Sequence, residues 1–236
     1  MKHIIKKLLR EGLMFTSELN EDAFNVIETE LLEDYPNSFS IDEFKKLNSF
    51  ASRVRYCEEH LKRISSGSSR IVYKIDDEKV LKLAKNKKGL AQNEIEIEYS
   101  QYQDINNITA RVFDIDANNL WIEMELARRL KTSDFLKITG FEWKDYVAAI
   151  HNHGEDAHAK GRNDKKQYID VDPGIVEAMW EDDFFDAMFD YLGHFKIPVG
   201  DLKRTSSYGV VKRDGKDTVV MIDYGLTSDV YKSYYN

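Results

Sequence analysis

Apolar residues recur along this chain at two different spacings, and the switches between them mark out its elements. In MKHIIKKLLREGLMF, Ile4, Ile5, Leu8, Leu9 and Leu13 lie at helical spacing beside Lys2, Lys6, Lys7 and Arg10. That stripe predicts a short docking helix. Ser40 and Glu43 then fit a capping box, the serine meeting a free N–H while the glutamate reaches back. Ile41, Phe44, Leu47, Phe50, Val54, Cys57 and Leu61 follow at steps of three or four. They predict one face of a single long helix, with Cys57 a core residue on that face.

At Ile64 the period changes. RISSGSSRIVYKIDDEKVLKLAK holds short runs rich in Val and Ile, joined by Asp76-Asp77, which suits a β-hairpin turn. KGLAQNEIEIEYSQYQ reads as a helix, and ITARVFDID and NLWIEMELA as two further strands around the turn Ala117-Asn118-Asn119. Three strands, a helix and two strands predict a small antiparallel sheet backed by one helix. From about residue 131 to 195 the pattern is helical again, with the polar stretch HGEDAHAKGRNDKKQ predicted as a loop between two helices. After Pro198, VGDL, YGVV and TVVMID read as short strands, the last two joined by Arg213-Asp214-Gly215-Lys216.

Composition narrows the class. The chain has 236 residues, 42% hydrophobic and 12% aromatic, enough for a sizeable core. A net charge of −8 argues against nucleic-acid binding over the whole surface. One cysteine cannot form an intramolecular disulfide, so a reducing compartment is expected. No apolar run approaches the roughly 20 residues of a membrane-spanning helix, and no secretory signal is recognised. The expected location is cytoplasmic, which for a virus-encoded protein, as the style of the N-terminus suggests, means host cytoplasm or virion.

Several short stretches carry candidate chemistry. In ISSGSSRIVYK, Gly67 lies between two strands, where backbone N–H groups and small serines such as Ser68 would close over a polyphosphate. Lys82, amid Val80, Leu81, Leu83 and Ala84, needs an acidic partner, because an unpaired buried ammonium is costly. Glu94 and Glu98, one helical turn apart on the next helix, are the candidates, and the sequence leaves open which one pairs. Near the C-terminus, Asp201 in VGDLK follows a glycine and Asp223 in MIDYG stands two residues before one, each at the edge of an apolar run. The cluster HNHGEDAH holds zinc-type side chains, but at no standard metal-ligand spacing.

Together these stretches resemble the protein-kinase superfamily over roughly residues 60–230. Ile64 to Lys74 resembles its glycine-rich loop, with Gly67 as the second glycine, Val72 over the adenine, and Ser65 and Arg70 replacing the other two glycines. Val80-Leu81-Lys82 resembles the end of the V-A-I-K strand, and Glu125-Leu126-Ala127 falls where the hinge would present backbone groups to adenine. Gly200-Asp201-Leu202-Lys203 resembles the catalytic loop, implying that Asp201 orients an acceptor hydroxyl and Lys203 neutralises the transferred phosphoryl group. That lysine is closer to protein kinases than to aminoglycoside phosphotransferases, which usually carry His there. Ile222-Asp223-Tyr224-Gly225 resembles D-F-G, implying that Asp223 binds Mg²⁺ or Mn²⁺ on the nucleotide.

The resemblance implies an α+β, two-lobed kinase-like fold: a helical extension over 1–62, a five-stranded antiparallel N-lobe with one helix over 63–127, and a reduced, mostly helical C-lobe over 128–236. It implies an ATP-dependent phosphotransferase acting on a protein Ser/Thr or small-molecule hydroxyl. The alternative is a weak or inactive pseudokinase that binds nucleotide or protein. Three departures bear on that choice. The second metal ligand, an Asn in the family, is replaced by Ser206 or Ser207; the H-R-D histidine is replaced by Val199; and the chain stops eleven residues after Gly225, before any platform for a peptide substrate. The N-terminal helical extension would then replace that support or dock a protein partner.

Overall fold

The structure is a computed structural model that describes residues 36, 38–102, 105–158, 167–195 and 199–234. The expected docking helix over residues 4–13 lies outside them. The chain divides into two compact units, Met1–Lys62 and Arg63–Asn236.

In the first unit the predicted long helix is two helices, α1 (Ile41–Lys45) and α2 (Phe50–His60). Ser49 makes the break. Its hydroxyl accepts from the Ser52 N–H at 3.1 Å while the Ser49 N–H donates to the Ser52 hydroxyl at 3.3 Å. This reciprocal cap starts a fresh helix in mid-stripe, because a serine side chain offers the backbone an alternative to continuing. The cap expected at Ser40 forms by half: its hydroxyl accepts from the Glu43 N–H, but its own N–H donates to Tyr56 Oη at 3.0 Å. Cys57 is fully buried, and burial, then Glu58, pushes its thiol up to about 12. A thiol so far from ionising is a packing residue.

The second unit has the α+β architecture the chain implied. Its larger sheet is five-stranded and antiparallel in the order β1-β2-β3-β5-β4, with β1 Lys62–Ser66, β2 Arg70–Lys74, β3 Lys79–Ala84, β4 Val112–Ile115 and β5 Trp121–Glu125. Asp76 closes the β2–β3 turn by accepting the N–H groups of Glu78 and Lys79 at 2.6 and 2.7 Å. Every residue of β3 is buried, as a central strand covered on both faces requires. Lys82 lies opposite Val72 on β2 and Ile122 on β5. Helix α3 (Lys87–Tyr99), capped by Asn86, packs on β3 with Gly89, Gln92, Asn93, Glu96 and Tyr99 buried.

The rest is mostly helical: α4 (Thr132–Thr139), α5 (Trp143–His158), α6 (Pro173–Trp180), α7 (Asp183–Phe195), the single turn α8 (Val199–Leu202) and α9 (Ser228–Tyr234). Two sequence expectations are corrected here. The stretch predicted as a loop from His153 continues α5 as far as His158, because His153 packs its ring against Trp180 and Phe189 at 5.6 and 5.2 Å. VGDL is helical rather than a strand. Among the described residues no strand pairs with it, and its backbone is bonded locally: the Asp201 carbonyl accepts from the Arg204 N–H at 3.1 Å and from the Ser207 hydroxyl at 2.7 Å.

A second sheet joins β6 (Arg128–Arg129), β7 (Tyr208–Arg213) and β8 (Lys216–Met221). Its hairpin turns on Asp214 and Gly215 at φ of 51° and 79°, two positive values in succession, which Asp-Gly tolerates and the strand twist favours. Met221 also exchanges backbone hydrogen bonds with the segment before β4, donating to Ile108 at 2.7 Å and accepting from Ala110 at 2.8 Å. That exchange ties the C-terminal sheet to the N-terminal one. Among the described residues no helix is long and apolar enough to cross a membrane.

The core of the helical part is aromatic, and a polar chain crosses it. Tyr146 and Tyr208 share a hydrogen bond of 2.8 Å, and Tyr208 Oη donates to the Leu202 carbonyl at 3.0 Å. Both rings are fully buried. Tyr208→Phe leaves the Tyr146 hydroxyl and the Leu202 carbonyl without their partner. It should cost about 1–3 kcal/mol in urea unfolding, with Tyr146→Phe/Tyr208→Phe costing less than the sum of the single changes.

Candidate active site

The positions of the chemical side chains follow from the strand register and one helix face. On β3 the side chain of Lys82 points toward α3, where it meets Glu96 and neither of the expected partners. Lys82 Nζ lies 2.8 Å from Glu96 Oε2 and donates to the Ile222 carbonyl at 2.5 Å. Glu94 and Glu98 are exposed. The correction has a geometric cause. The residues of α3 that face β3 are Gly89, Gln92 or Asn93, Glu96 and Tyr99, in steps of three and four, and Glu94 and Glu98 fall off that face. The signal was in the sequence: the smallest residue of the helix, Gly89, and its aromatic, Tyr99, share a stripe with Glu96.

Glu96 is the hub of a buried charge network. Its Oε1 lies 2.9 Å from Arg70 Nη2 and accepts from the Tyr224 N–H at 3.3 Å. Arg70, the first residue of β2, also places Nη2 2.5 Å from Asp223 Oδ1 and donates through Nη1 to Asn93 at 3.3 Å. Burial alone would raise the pKa of Glu96, but Arg70 and Lys82 outweigh it and hold it low. Burial lowers that of Lys82, against the pull of Glu96. Burial would also lower that of Arg70, yet Glu96 and Asp223 raise it further. At neutral pH the hub is an ionised carboxylate between two cations.

Asp223 lies just beyond β8, and Gly225 lets it approach. A Cβ on Gly225 would run into the Gln92 carbonyl, so only glycine allows this backbone to lie against α3. Asp201 is tied to the same place through backbone: the Ser207 hydroxyl donates to the Asp201 carbonyl, and the Ile222 N–H donates to the Ser207 carbonyl at 2.8 Å. One hydrogen-bonded path therefore runs from Lys82 through Ile222 and Ser207 to Asp201.

Arg70, Lys82, Asp201, Ile222 and Asp223 border one cleft of about 350 Å³. Of the residues expected at the site, it brings together Gly67, Val72, Val80, Lys82, Glu125, Ala127, Asp201, Ser206 and Asp223. Ser68, Glu94, Glu98, Lys203 and Ser207 do not line it. Ser68 instead offers its carbonyl to Asn86, and Lys203 Nζ lies 3.4 Å from His151 Nδ1. The Glu125 carboxylate is engaged by Arg213 at 2.7 Å, and the Glu125 and Leu126 N–H groups are taken by the Arg111 and Glu78 carbonyls. Met124 and Leu226 add apolar lining that the sequence reading missed.

The donors present do not fit a preformed magnesium site. Asp223, the carboxylate the resemblance assigns to the metal, is engaged by a guanidinium. The Ser207 hydroxyl is committed to the Asp201 backbone, and the Ser206 hydroxyl is a neutral, weak ligand for so hard an ion. Among the described residues no group of three or more His, Cys, Asp or Glu side chains could hold a metal, the HNHGEDAH cluster included as far as it is described.

No protein-family model matches the chain, and no curated protein does. Among solved structures it is similar to the streptomycin–ATP ternary complex of APH(2")-IIa, at 12% identity over 76% of this chain and 71% of that one, with a TM-score of 0.33. It is also similar to the GDP and kanamycin complex of APH(2")-IIia, at 11% identity over 78% and 70%, with a TM-score of 0.36. A third is SAICAR-synthase from Saccharomyces cerevisiae complexed with SAICAR, at 11% over 72% and 74%, with a TM-score of 0.33. At such identities and scores the likeness carries no argument about chemistry.

Removing Glu96 leaves two buried cations facing each other. Glu96→Ala should cost about 3–5 kcal/mol in chemical denaturation, whereas Glu94→Ala and Glu98→Ala should stay within about 0.5 kcal/mol of the parent.

The pH dependence has a definite sign. The native pKa of Glu96 lies below its ordinary 4.5, so the network stabilises fully above that value and is lost as pH falls through the depressed native one. The melting temperatures of wild type and Glu96→Gln should therefore differ at neutral pH and draw together as the pH falls below 4.5 and through the depressed native value.

Proposed function

We propose that this chain is a kinase-like phosphotransferase that binds ATP in the cleft and passes its terminal phosphoryl group to a hydroxyl. The observation that carries the reading is that Lys82, held by Glu96, borders the same cleft as Asp223 and Asp201. Apolar Val72, Val80, Met124 and Leu226 suit a flat base, and Lys82 at the polar end suits the phosphates.

In the reaction the acceptor oxygen forms a bond to the terminal phosphorus while the bond to the bridging oxygen breaks and ADP leaves. The hydroxyl proton passes toward Asp201, whose carboxylate is half exposed and lies 3.8 Å from Arg204. Lys203 would have to leave His151 to reach the phosphoryl group. The acceptor is a protein Ser/Thr or a small hydroxylated molecule, and the N-terminal helices are the place for a protein partner.

The Arg70–Asp223 ion pair favours a second reading, a nucleotide-binding module with weak catalysis or none. The two readings separate on incubation with γ-labelled ATP and Mg²⁺ or Mn²⁺, with casein, kanamycin or water as acceptor. Transfer predicts label or released phosphate that falls about 100- to 10,000-fold in Asp201→Ala. Thermal stabilisation by ATP with no transfer selects the module, and no response to millimolar ATP overturns both.

A further inference from the structure

We propose that Arg70 occupies the place a divalent cation would take at Asp223, so that the cleft holds the polyphosphate of a nucleotide without metal. The inference rests on the reading of the cleft as a nucleotide site. Three observations on this chain lead to it.

The first is position. Arg70 stands where the resembled loop has its third glycine, yet the side chain is not turned out to solvent: it is 7% exposed and borders the cleft. Strand register fixes this, since Arg70 pairs with Ala84 at the end of β3, two residues beyond Lys82. The second is charge. Asp223 is 58% exposed and borders the space the phosphates would fill. Bare, it would repel them, which is the usual reason for a metal at such a place. With Arg70 at 2.5 Å that charge is already neutralised. The neighbouring acids are also faced by cations: Glu96, behind the cleft, by Lys82 and Arg70, Glu125 by Arg213, and Asp201 by Arg204 at 3.8 Å.

The third is the donor set. A magnesium ion would have to displace a guanidinium from Asp223 and find hydroxyls at the second position, one of them committed to backbone. Magnesium dehydrates reluctantly and gains little from such a set. A guanidinium carries several donors in a planar fork, matches phosphate oxygens, and remains charged at any physiological pH.

Isothermal titration of ATP into the full chain tests this, in EDTA and in millimolar MgCl₂. Wild type should bind ATP with affinities within about threefold of each other in the two buffers. Arg70→Gly, which restores the loop's glycine, should bind at least about tenfold more weakly in EDTA and recover with magnesium. Because Arg70 also contacts buried Glu96, a folding failure in that variant is covered by Asp223→Asn, which keeps Arg70 on Glu96. Freed from its carboxylate, Arg70 should then bind ATP in EDTA more tightly than in wild type.

Binding by wild type in magnesium but not in EDTA overturns the inference and leaves the nucleotide reading standing. Binding in neither buffer overturns the reading itself. Arg70→Gly binding in EDTA as well as wild type, or better, shows Arg70 to be a bystander or a lock, and loss of binding in Asp223→Asn likewise removes the proposal.

Discussion

A fully buried carboxylate organises this molecule. Glu96 cannot be ionised inside a protein unless cations and donors surround it, and the fold supplies them from three separate segments: Lys82 from β3, Arg70 from β2 and the Tyr224 N–H from beyond β8. Each of those segments is thereby drawn to one point on α3. The interaction is more a specification than a reservoir of stability, since a buried pair gains little net energy over apolar packing but is costly to leave half made. It determines which backbone lies against which. Asp223 reaches the cleft beside Arg70 because its neighbour Tyr224 is bonded to Glu96 and because Gly225 lets the chain lie on Gln92.

From that point, order spreads through backbone groups. Lys82 holds the Ile222 carbonyl, Ile222 holds Ser207, and Ser207 holds Asp201. Behind them Tyr208 holds the Leu202 carbonyl. A residue expected as a metal ligand, Ser207, is thus a brace that sets the spacing between the two acids. Arg213 does comparable work at the far end of the cleft, bonding the Asn106, Asn107 and Thr109 carbonyls and the Glu125 carboxylate, so that β7 is fastened to the end of β5. The acid with a proposed part in transfer, Asp201, stays half exposed, while Lys82 and Ser207, at the two ends of the path that leads to it, are buried.

The sheet was readable because its cues are local. Alternating Val and Ile, the Asp76-Asp77 turn and the Asp214-Gly215 turn each act within a few residues. Reading failed where a local pattern met a local competitor or a distant partner. Ser49 interrupts a flawless helical stripe by capping itself. VGDL has the composition of a strand but no strand to pair with, so it coils on its own hydrogen bonds. HGEDAH looks like a polar loop, yet α5 runs through it because His153 finds Trp180 and Phe189.

The same division runs through the site. Sequence by itself determined the inventory and its order: a small loop, a lysine in an apolar strand, acids on the next helix, and two aspartates, each close to a glycine, near the end. Those depend on residue type and spacing along one element. Only the tertiary structure decided that Glu96 is the acid that meets Lys82, because the face of α3 that is buried depends on how the helix lies on β3. Only it decided that Arg70, in the place of a glycine, turns inward onto Asp223, 153 residues away in the chain. A pairing at that separation leaves no trace in local pattern; it exists because folding carries the buried Arg70 on β2 against an acid from beyond β8.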